Sequence, residues 1–189
     1  IIKTEIEIPN LPQQEWEKDS VRDNFNKTEF NLYWNFVRNP NHKDFSLTAK
    51  PGFLQLNGSA VNFSEKKSPA FVCRRQTAFD ISASAKISFK PTAPNEEAGL
   101  VIRGNDINHY DFLITQLAGK RVIMLRHYLK DKITNLTYKE LSEEDVILCI
   151  TATEKEYKFW VQPEGKPAML IGTALPKYLS TEVIHGFTG

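Results

Sequence analysis

Strict two-residue alternation of apolar and polar side chains is the feature that most constrains the fold of this chain. From Ile81 to Lys90 every odd position is apolar and every even position is polar. Because successive side chains of a β-strand point to opposite faces, this pattern is typical of a strand with one face in a core and the other in water. The same prediction holds for three further segments, at positions 109–115, 146–152 and 156–162.

Turn sequences rich in glycine, proline and asparagine separate these segments. They include Lys50-Pro51-Gly52, Gly104-Asn105-Asp106, Ala118-Gly119-Lys120 and Pro163-Glu164-Gly165-Lys166. Short strands punctuated in this way predict an all-β fold, a sandwich or jelly roll. No long segment has a helical period, and single helical turns are expected only at 19–24 and 176–183.

Residues 1–20 differ in composition from the rest of the chain. Pro9, Pro12 and two consecutive glutamines indicate an extended connector, so we expect 1–20 to be an interdomain linker or edge strand and 21–189 to be the sandwich. Charges interrupt the apolar residues at the start, which does not match a signal peptide. We therefore expect the chain to be a segment of a longer protein.

The overall charge balance argues against several classes of partner. Lysine and arginine number 24 against 23 acidic residues, which gives a formal net charge of +1. No basic run indicates nucleic-acid binding, and no apolar stretch is long enough to predict a membrane span. Cys73 and Cys149 each lie in an apolar run, which favours two small sheet residues over a disulfide and leaves the cellular compartment open.

The sequence lacks a recognisable set of catalytic residues. Hydrolysis of a glycoside needs two carboxylates that face one another across the sugar bond. The acidic residues here fall in turns or on polar strand faces, and the run 143–145 reads as a solvated turn. No histidine pair has metal-ligand spacing, although His109 and His127 would become neighbours if their strands paired. We predict that this segment carries no catalytic residue.

Two aromatic residues stand out from the alternation. Trp160 lies on the polar side of its strand, where an indole lines a sugar-binding groove, packs against another domain or is covered by a loop. Trp34 lies among large apolar residues, so we expect it in the core. The pair Arg74-Arg75 ends an apolar strand, either reaching carboxylates or sugar hydroxyls or lying along the sheet edge beside an acidic residue.

Five motifs in order resemble a known family. They are Trp-Asn-Phe-Val-Arg-Asn-Pro at 34–40, Pro-Gly-Phe-Leu-Gln-Leu-Asn-Gly at 51–58, Ala-Phe-Val-Cys-Arg-Arg-Gln at 70–76, Ala-Gly-Leu-Val at 98–101 and Gly-Phe-Thr-Gly at 186–189. In that order they are similar to the C-terminal concanavalin A-like domain of family 43 glycoside hydrolases, the β-xylosidases and α-L-arabinofuranosidases. The resemblance covers 22–189.

The resemblance implies a concanavalin A-like jelly-roll sandwich that follows a catalytic β-propeller. The propeller would carry the catalytic carboxylates and perform inverting hydrolysis of terminal xylose or arabinofuranose units. A loop with the motif at 186–189 would lean over the active site, so that Phe187, supported by Gly186, walls the sugar subsite. The alternative is that Phe187 begins a buried strand. The family domain continues beyond this motif, so we expect the sandwich here to be C-terminally incomplete.

The resemblance implies no cofactor other than a structural calcium ion, for which Asp23 is a candidate ligand.

Three functions follow from the sequence. The first is an accessory domain that braces the propeller and lines one side of its pocket for xylo- or arabino-oligosaccharides. The second is a stand-alone carbohydrate-binding module or lectin-like domain that uses Trp160. The third is a sandwich with no ligand.

Overall fold

A computed structural model of the chain describes residues 10–12, 22–142 and 145–186. Its main body consists of two four-stranded antiparallel sheets that pack face to face. Sheet A has the strand order β12-β11-β10-β5, with β5 at Ile81–Ser88, β10 at Asp145–Ala152, β11 at Tyr157–Pro163 and β12 at Met169–Ala174. Sheet B has the order β6-β7-β8-β9, with β6 at Ala98–Asn105, β7 at Asn108–Leu117, β8 at Lys120–Leu129 and β9 at Lys132–Glu140.

The remaining elements are short. Before the sheets, β1 at Asn35–Phe36 pairs with β4 at Val72–Cys73, and β2 at Phe45–Ser46 pairs with β3 at Gln55–Leu56. A 3-10 turn occupies His42–Asp44. After β12 the chain forms a 3-10 turn at Pro176–Leu179 and a four-residue helix, α1, at Thr181–Ile184, which agrees with the helical turn expected at 176–183.

The core lies between the two sheets and confirms most of the alternation. Val146 and Leu148 of β10 are buried, as are Phe159 and Val161 of β11. Their neighbours along each strand point to the opposite face, which is the arrangement that the two-residue period predicts. The mostly-strand content and the face-to-face packing of the two sheets confirm the predicted all-β sandwich.

The prediction for β7 is wrong on one face. Tyr110 and Phe112 reach the core as expected, but His109 and Asp111, expected in water, are 3% and 1% exposed. Loops cover this outer face of sheet B: the Phe63 ring packs against His109 with centroids 5.5 Å apart. Alternation alone therefore identified the two faces of the strand but not the burial of the second.

The histidines expected to become neighbours lie on opposite faces of sheet B. The strands pair as anticipated, but Tyr110 is opposite His127 and His109 is opposite Tyr128. His127 thus faces the core, while His109 stacks on the Tyr128 ring, with ring centroids 4.6 Å apart, on the outer face.

Cys73 and Cys149 lie in different sheets as free thiols, in agreement with the prediction of two small sheet residues.

Trp34 does not belong to the core between the sheets, contrary to expectation. Its ring is half-buried and lies 5.7 Å from the Phe25 ring, in an aromatic cluster that precedes the first long strand. The density of large apolar residues near Trp34 therefore signalled a separate peripheral cluster. Most of residues 1–20, including the predicted linker, lies outside the described residues.

A chain of ion pairs is buried on the outer face of sheet B. Asp111 accepts a hydrogen bond of 2.9 Å from Arg126 Nε and lies 2.5 Å from His109 Nδ1. The other two nitrogens of Arg126 donate to both oxygens of Glu97 at 2.9 and 2.8 Å. Arg126 therefore bridges two carboxylates, one of them almost completely buried.

Replacing Arg126 should destabilise the domain strongly. Arg126→Met keeps much of the apolar stem but leaves Asp111 without its cation, and an uncompensated buried charge costs about 3–5 kcal/mol. Chemical denaturation should show that loss in the free energy of unfolding. The matched control is Lys120→Met, which removes the exposed ion pair with Glu140. This substitution should cause no measurable change in the free energy of unfolding. Equal effects of the two substitutions would contradict this account of the network.

Candidate functional site

The segment that follows β12 is fixed against the end of sheet B. Tyr110 donates its hydroxyl hydrogen to the Leu175 carbonyl at 2.8 Å, and burial raises the pKa of this phenol. Leu179, in the 3-10 turn, is buried in the core. These contacts hold the start of α1 at a defined position on the sandwich.

Helix α1 packs closely on Gly104 at the end of β6. A β-carbon placed on residue 104 would lie 3.4 Å from Ile184 Cδ1 and 3.5 Å from Leu179 Cβ. A side chain larger than alanine would therefore push the segment outward. The glycine lets α1 lie directly on the strand.

Helix α1 ends at Ile184, and its C-cap residue His185 leads to Gly186 at the surface. His185 has a left-handed backbone with φ of 52°, and its N–H donates to the Thr181 carbonyl at 3.0 Å. Glycine is the usual residue at this position of a helix, so histidine here restricts the backbone more than a glycine would. Gly186 is exposed, and Phe187 lies outside the described residues.

A pocket rich in arginine lies beside the same end of β6. It has a volume of about 380 Å³ and is lined by Asn35, Phe36, Val37, Arg38, Cys73, Arg74, Arg75, Arg103, Asn105 and Asp106. Arg103 and Asn105 flank Gly104 in the sequence, so the pocket and α1 share this end of β6. We call it the arginine pocket.

Asp106 is the anion that organises the arginine pocket. Both Arg38 and Arg103 form ion pairs with its carboxylate. Burial raises the pKa of Asp106, but the hydrogen bonds from the two arginines outweigh it and lower the pKa overall. Arg38 also donates to the Lys67 carbonyl at 2.9 Å and has a φ of 63°, a conformation that non-glycine residues rarely adopt.

The two arginines noted in the sequence both line this pocket. The Arg74 guanidinium lies 3.9 Å from the centroid of the Tyr33 ring, a cation–π contact that fixes its plane. Arg75 is exposed. Burial raises the pKa of the neighbouring Cys73 thiol, and the positive charges of Arg103 and Arg75 oppose that rise. Sequence reasoning identified Arg74 and Arg75 but missed Arg38, Arg103 and Asp106, which nothing in the local sequence connects.

Asp23, the candidate calcium ligand, is surrounded by hydrogen-bond donors. Its Oδ2 accepts from Trp34 Nε1, Tyr33 Oη and Asn31 Nδ2 at 2.9 Å each, and Oδ1 accepts from the Phe25 N–H at 2.8 Å. Burial raises its pKa, but these four hydrogen bonds lower it to about 2. These donors satisfy both oxygens of the Asp23 carboxylate.

Trp160 lies away from the arginine pocket, on the outer face of sheet A. Its neighbours across the strands are Cys149 and the exposed Leu170. The indole N–H donates to Thr151 Oγ1 at 3.3 Å, and the ring is half-buried. The structure therefore brings Arg74 and Arg75 together and leaves Trp160 on a separate surface.

Within residues 10–12, 22–142 and 145–186, no three histidine, cysteine or acidic side chains converge as a metal-ligand group. In the same ranges, no helix has the length and apolar character needed to cross a bilayer.

Comparison with known proteins gives a consistent result. The family model described as the beta xylosidase C-terminal concanavalin A-like domain matches residues 22–189. The chain is 51% identical over 183 residues to the non-reducing end alpha-L-arabinofuranosidase BoGH43B of Bacteroides ovatus, covering 96% of this chain and 34% of that protein. It is 32% identical over 144 residues to a xylan 1,3-beta-xylosidase of a Vibrio species, covering 76% of this chain and 26% of that protein.

A solved structure agrees with these relatives. The Bacteroides ovatus xyloglucan PUL GH43B structure superposes with a TM-score of 0.92 at 50% identity, over 96% of this chain and 36% of that one. The chain thus spans about a third of the length of the proteins that it matches.

The low pKa of Asp23 predicts a pH-dependent contribution to stability. Because the folded-state pKa of about 2 lies below the ordinary value of 3.8, Asp23 stabilises the fold above pH 3.8 and loses this effect as the pH falls toward 2. Asp23→Asn should therefore unfold at lower denaturant than wild type at pH 6, with the difference shrinking between pH 4 and pH 2. Asp80→Asn, at an exposed position, is the control at neutral pH. A difference that is independent of pH would reject this role.

Proposed function

Because the chain belongs to the family of beta-xylosidase C-terminal concanavalin A-like domains, we propose that it is a non-catalytic accessory domain of a family 43 glycoside hydrolase. It braces the catalytic β-propeller of the same polypeptide and lines one side of the substrate pocket. The observation that carries this proposal is the extent of the match: the chain corresponds to about a third of its relatives. The remaining two thirds of such a protein would hold the catalytic domain.

The proposed activity of the parent enzyme follows from the names of the relatives. One is an arabinofuranosidase and another a xylosidase, so the parent would release terminal arabinofuranose or xylose units from plant polysaccharides such as xylan. The resemblance implies inversion, in which a general acid and a general base lie on opposite sides of the sugar. Both groups would belong to the propeller.

The state of the buried carboxylates supports a non-catalytic role for this segment. Asp111 and Glu97 share Arg126, and Asp106 is ion-paired with two arginines. A carboxylate that is held in an ion pair with arginine is not free to deliver a proton to a leaving group. These groups therefore suit a structural role.

The position of Gly186 supports a contact with the substrate pocket. The segment before it is anchored through Tyr110 and Gly104, and it delivers Gly186 to the surface of the sandwich. Phe187 follows directly. A phenyl ring held there against the propeller would exclude water and pack on a pyranose or furanose ring.

The alternative is a carbohydrate-binding module that uses the outer face of sheet A. Trp160 lies on that face with the partly exposed Ile147 and Leu170, an arrangement on which a sugar ring would pack. Yet the indole N–H is already bonded to Thr151 and the ring is half-buried, which leaves little of it for a ligand. We therefore favour the accessory role.

Removing the Phe187 ring tests the pocket-lining role. In the full-length enzyme, Phe187→Ala should lower kcat/KM for aryl xylosides or arabinofuranosides about tenfold, because an aromatic contact with the substrate is worth roughly 1.4 kcal/mol. Steady-state kinetics and a melting curve measure activity and folding together. Phe79→Ala is the matched control, since Phe79 is an exposed ring, 69% accessible, in a different loop. Unchanged kinetics for Phe187→Ala would overturn the role.

A further inference from the structure

The geometry points to a carboxylate-binding site in the arginine pocket. We propose that this site takes an acidic side chain from another part of the parent polypeptide, and that this ion-paired contact joins the sandwich to the rest of the enzyme. The inference rests on the proposed function only in requiring that the chain be part of a longer protein. It does not involve Phe187 or a sugar.

The charge of the pocket is unbalanced. Four guanidinium groups line it, from Arg38, Arg74, Arg75 and Arg103, and Asp106 is the carboxylate among its lining residues. Arg38 and Arg103 share Asp106, and Arg75 adds a further positive charge, so these four side chains carry a net charge of two in a space of about 380 Å³. Like charges so close together are unfavourable unless an anion enters.

Two of the arginines that line the site have unused hydrogen-bonding capacity within the described residues. The Nε of Arg103 is buried, and the described residues offer it no hydrogen-bond partner. Arg75 has no carboxylate within ion-pair distance in the described part of the chain. A buried donor without an acceptor costs free energy, which an incoming carboxylate would recover. Arginine forks match carboxylates in two-point contacts.

The site is already arranged before any anion arrives. Arg38 and Arg103 are fixed by Asp106, and the Arg74 guanidinium is held against the Tyr33 ring. The strained backbone of Arg38 is consistent with a conformation maintained for binding. Preorganised donors lose little side-chain entropy when a ligand binds.

The surroundings favour a polypeptide over a free sugar acid. The pocket is lined by Cys73 of β4 and Arg103 of β6, and both strands are outer strands of their sheets. Each therefore has an edge without a partner strand among the described residues. Strand edges expose backbone N–H and C=O groups that pair with extended polypeptide. Phe36 and Val37 add an apolar wall that suits a neighbouring side chain.

Cys73 provides a direct probe of whether the pocket is filled. In the full-length enzyme carrying Cys149→Ser, the rate at which iodoacetamide labels Cys73 can be followed by peptide mass mapping. We expect slow labelling in the native enzyme and labelling about tenfold faster after Arg75→Glu, because the acidic side chain is then repelled and the pocket opens. Arg75→Gln should give a smaller increase and covers the case in which charge reversal prevents folding.

The sign of the change separates this effect from local electrostatics. Removing the positive charge of Arg75 raises the pKa of the Cys73 thiol, which alone would slow the reaction with iodoacetamide. Faster labelling therefore reports opening of the pocket. Lys132→Glu, an equal charge change on the exposed strand β9, is the control and should leave the rate unchanged.

Three results would overturn the proposal. In the first, iodoacetamide would label Cys73 as fast in the native enzyme as in the denatured enzyme, which would mean that nothing covers the pocket. In the second, the Arg75 variants would label as slowly as the native enzyme, which would mean that the covering segment is not held by charge. In the third, D-glucuronate would slow the labelling of an otherwise reactive Cys73, which would mean that the anion is a free sugar acid. None of these depends on the kinetics of Phe187→Ala, so the two proposals fail separately.

Discussion

Phe112 of sheet B and Phe159 of sheet A meet edge to face, with ring centroids 5.5 Å apart, in the layer between the sheets. Both are completely buried, and removing either ring would cost about 3–5 kcal/mol. The segment that follows β12 is positioned by contacts with this layer. The phenol of Tyr110 extends from it to hold Leu175, and Leu179 packs into its edge. The segment that carries Gly186 therefore depends on the same core.

Strand β7 of sheet B is buried on both faces, and this explains how loops with little regular structure become fixed. On its outer face, Phe63 packs on His109, and Thr115 donates to the Glu96 carbonyl at 2.9 Å. The shared cation Arg126 links the adjacent Glu97 to the strand. These contacts fix the loops on sheet B. The arginine pocket forms where β6 meets the β1–β4 pair.

The sequence predicted the fold better than the site, for a physical reason. Alternation reports which face of a strand is apolar, so the inner positions of β10 and β11 were predicted, and glycine marked the turn at Gly119. The tight turn at Lys130-Asp131 was missed because two non-glycine residues adopt φ of 53° and 61° there, held by tertiary contacts such as that of Tyr128 with Asp131. The arginine pocket assembles residues far apart in the chain, which no local pattern records.

The central claim is that this domain acts only in company with a catalytic domain, and does not bind sugar by itself. Calorimetric titration of the chain with xylo- and arabino-oligosaccharides tests the claim most directly, with circular dichroism to establish that the sample is folded. The account predicts no heat of binding up to millimolar ligand, because the proposed function places the remainder of the pocket on the catalytic domain. Micromolar binding that is lost on Trp160→Ala would contradict it and assign the outer face of sheet A as a sugar site.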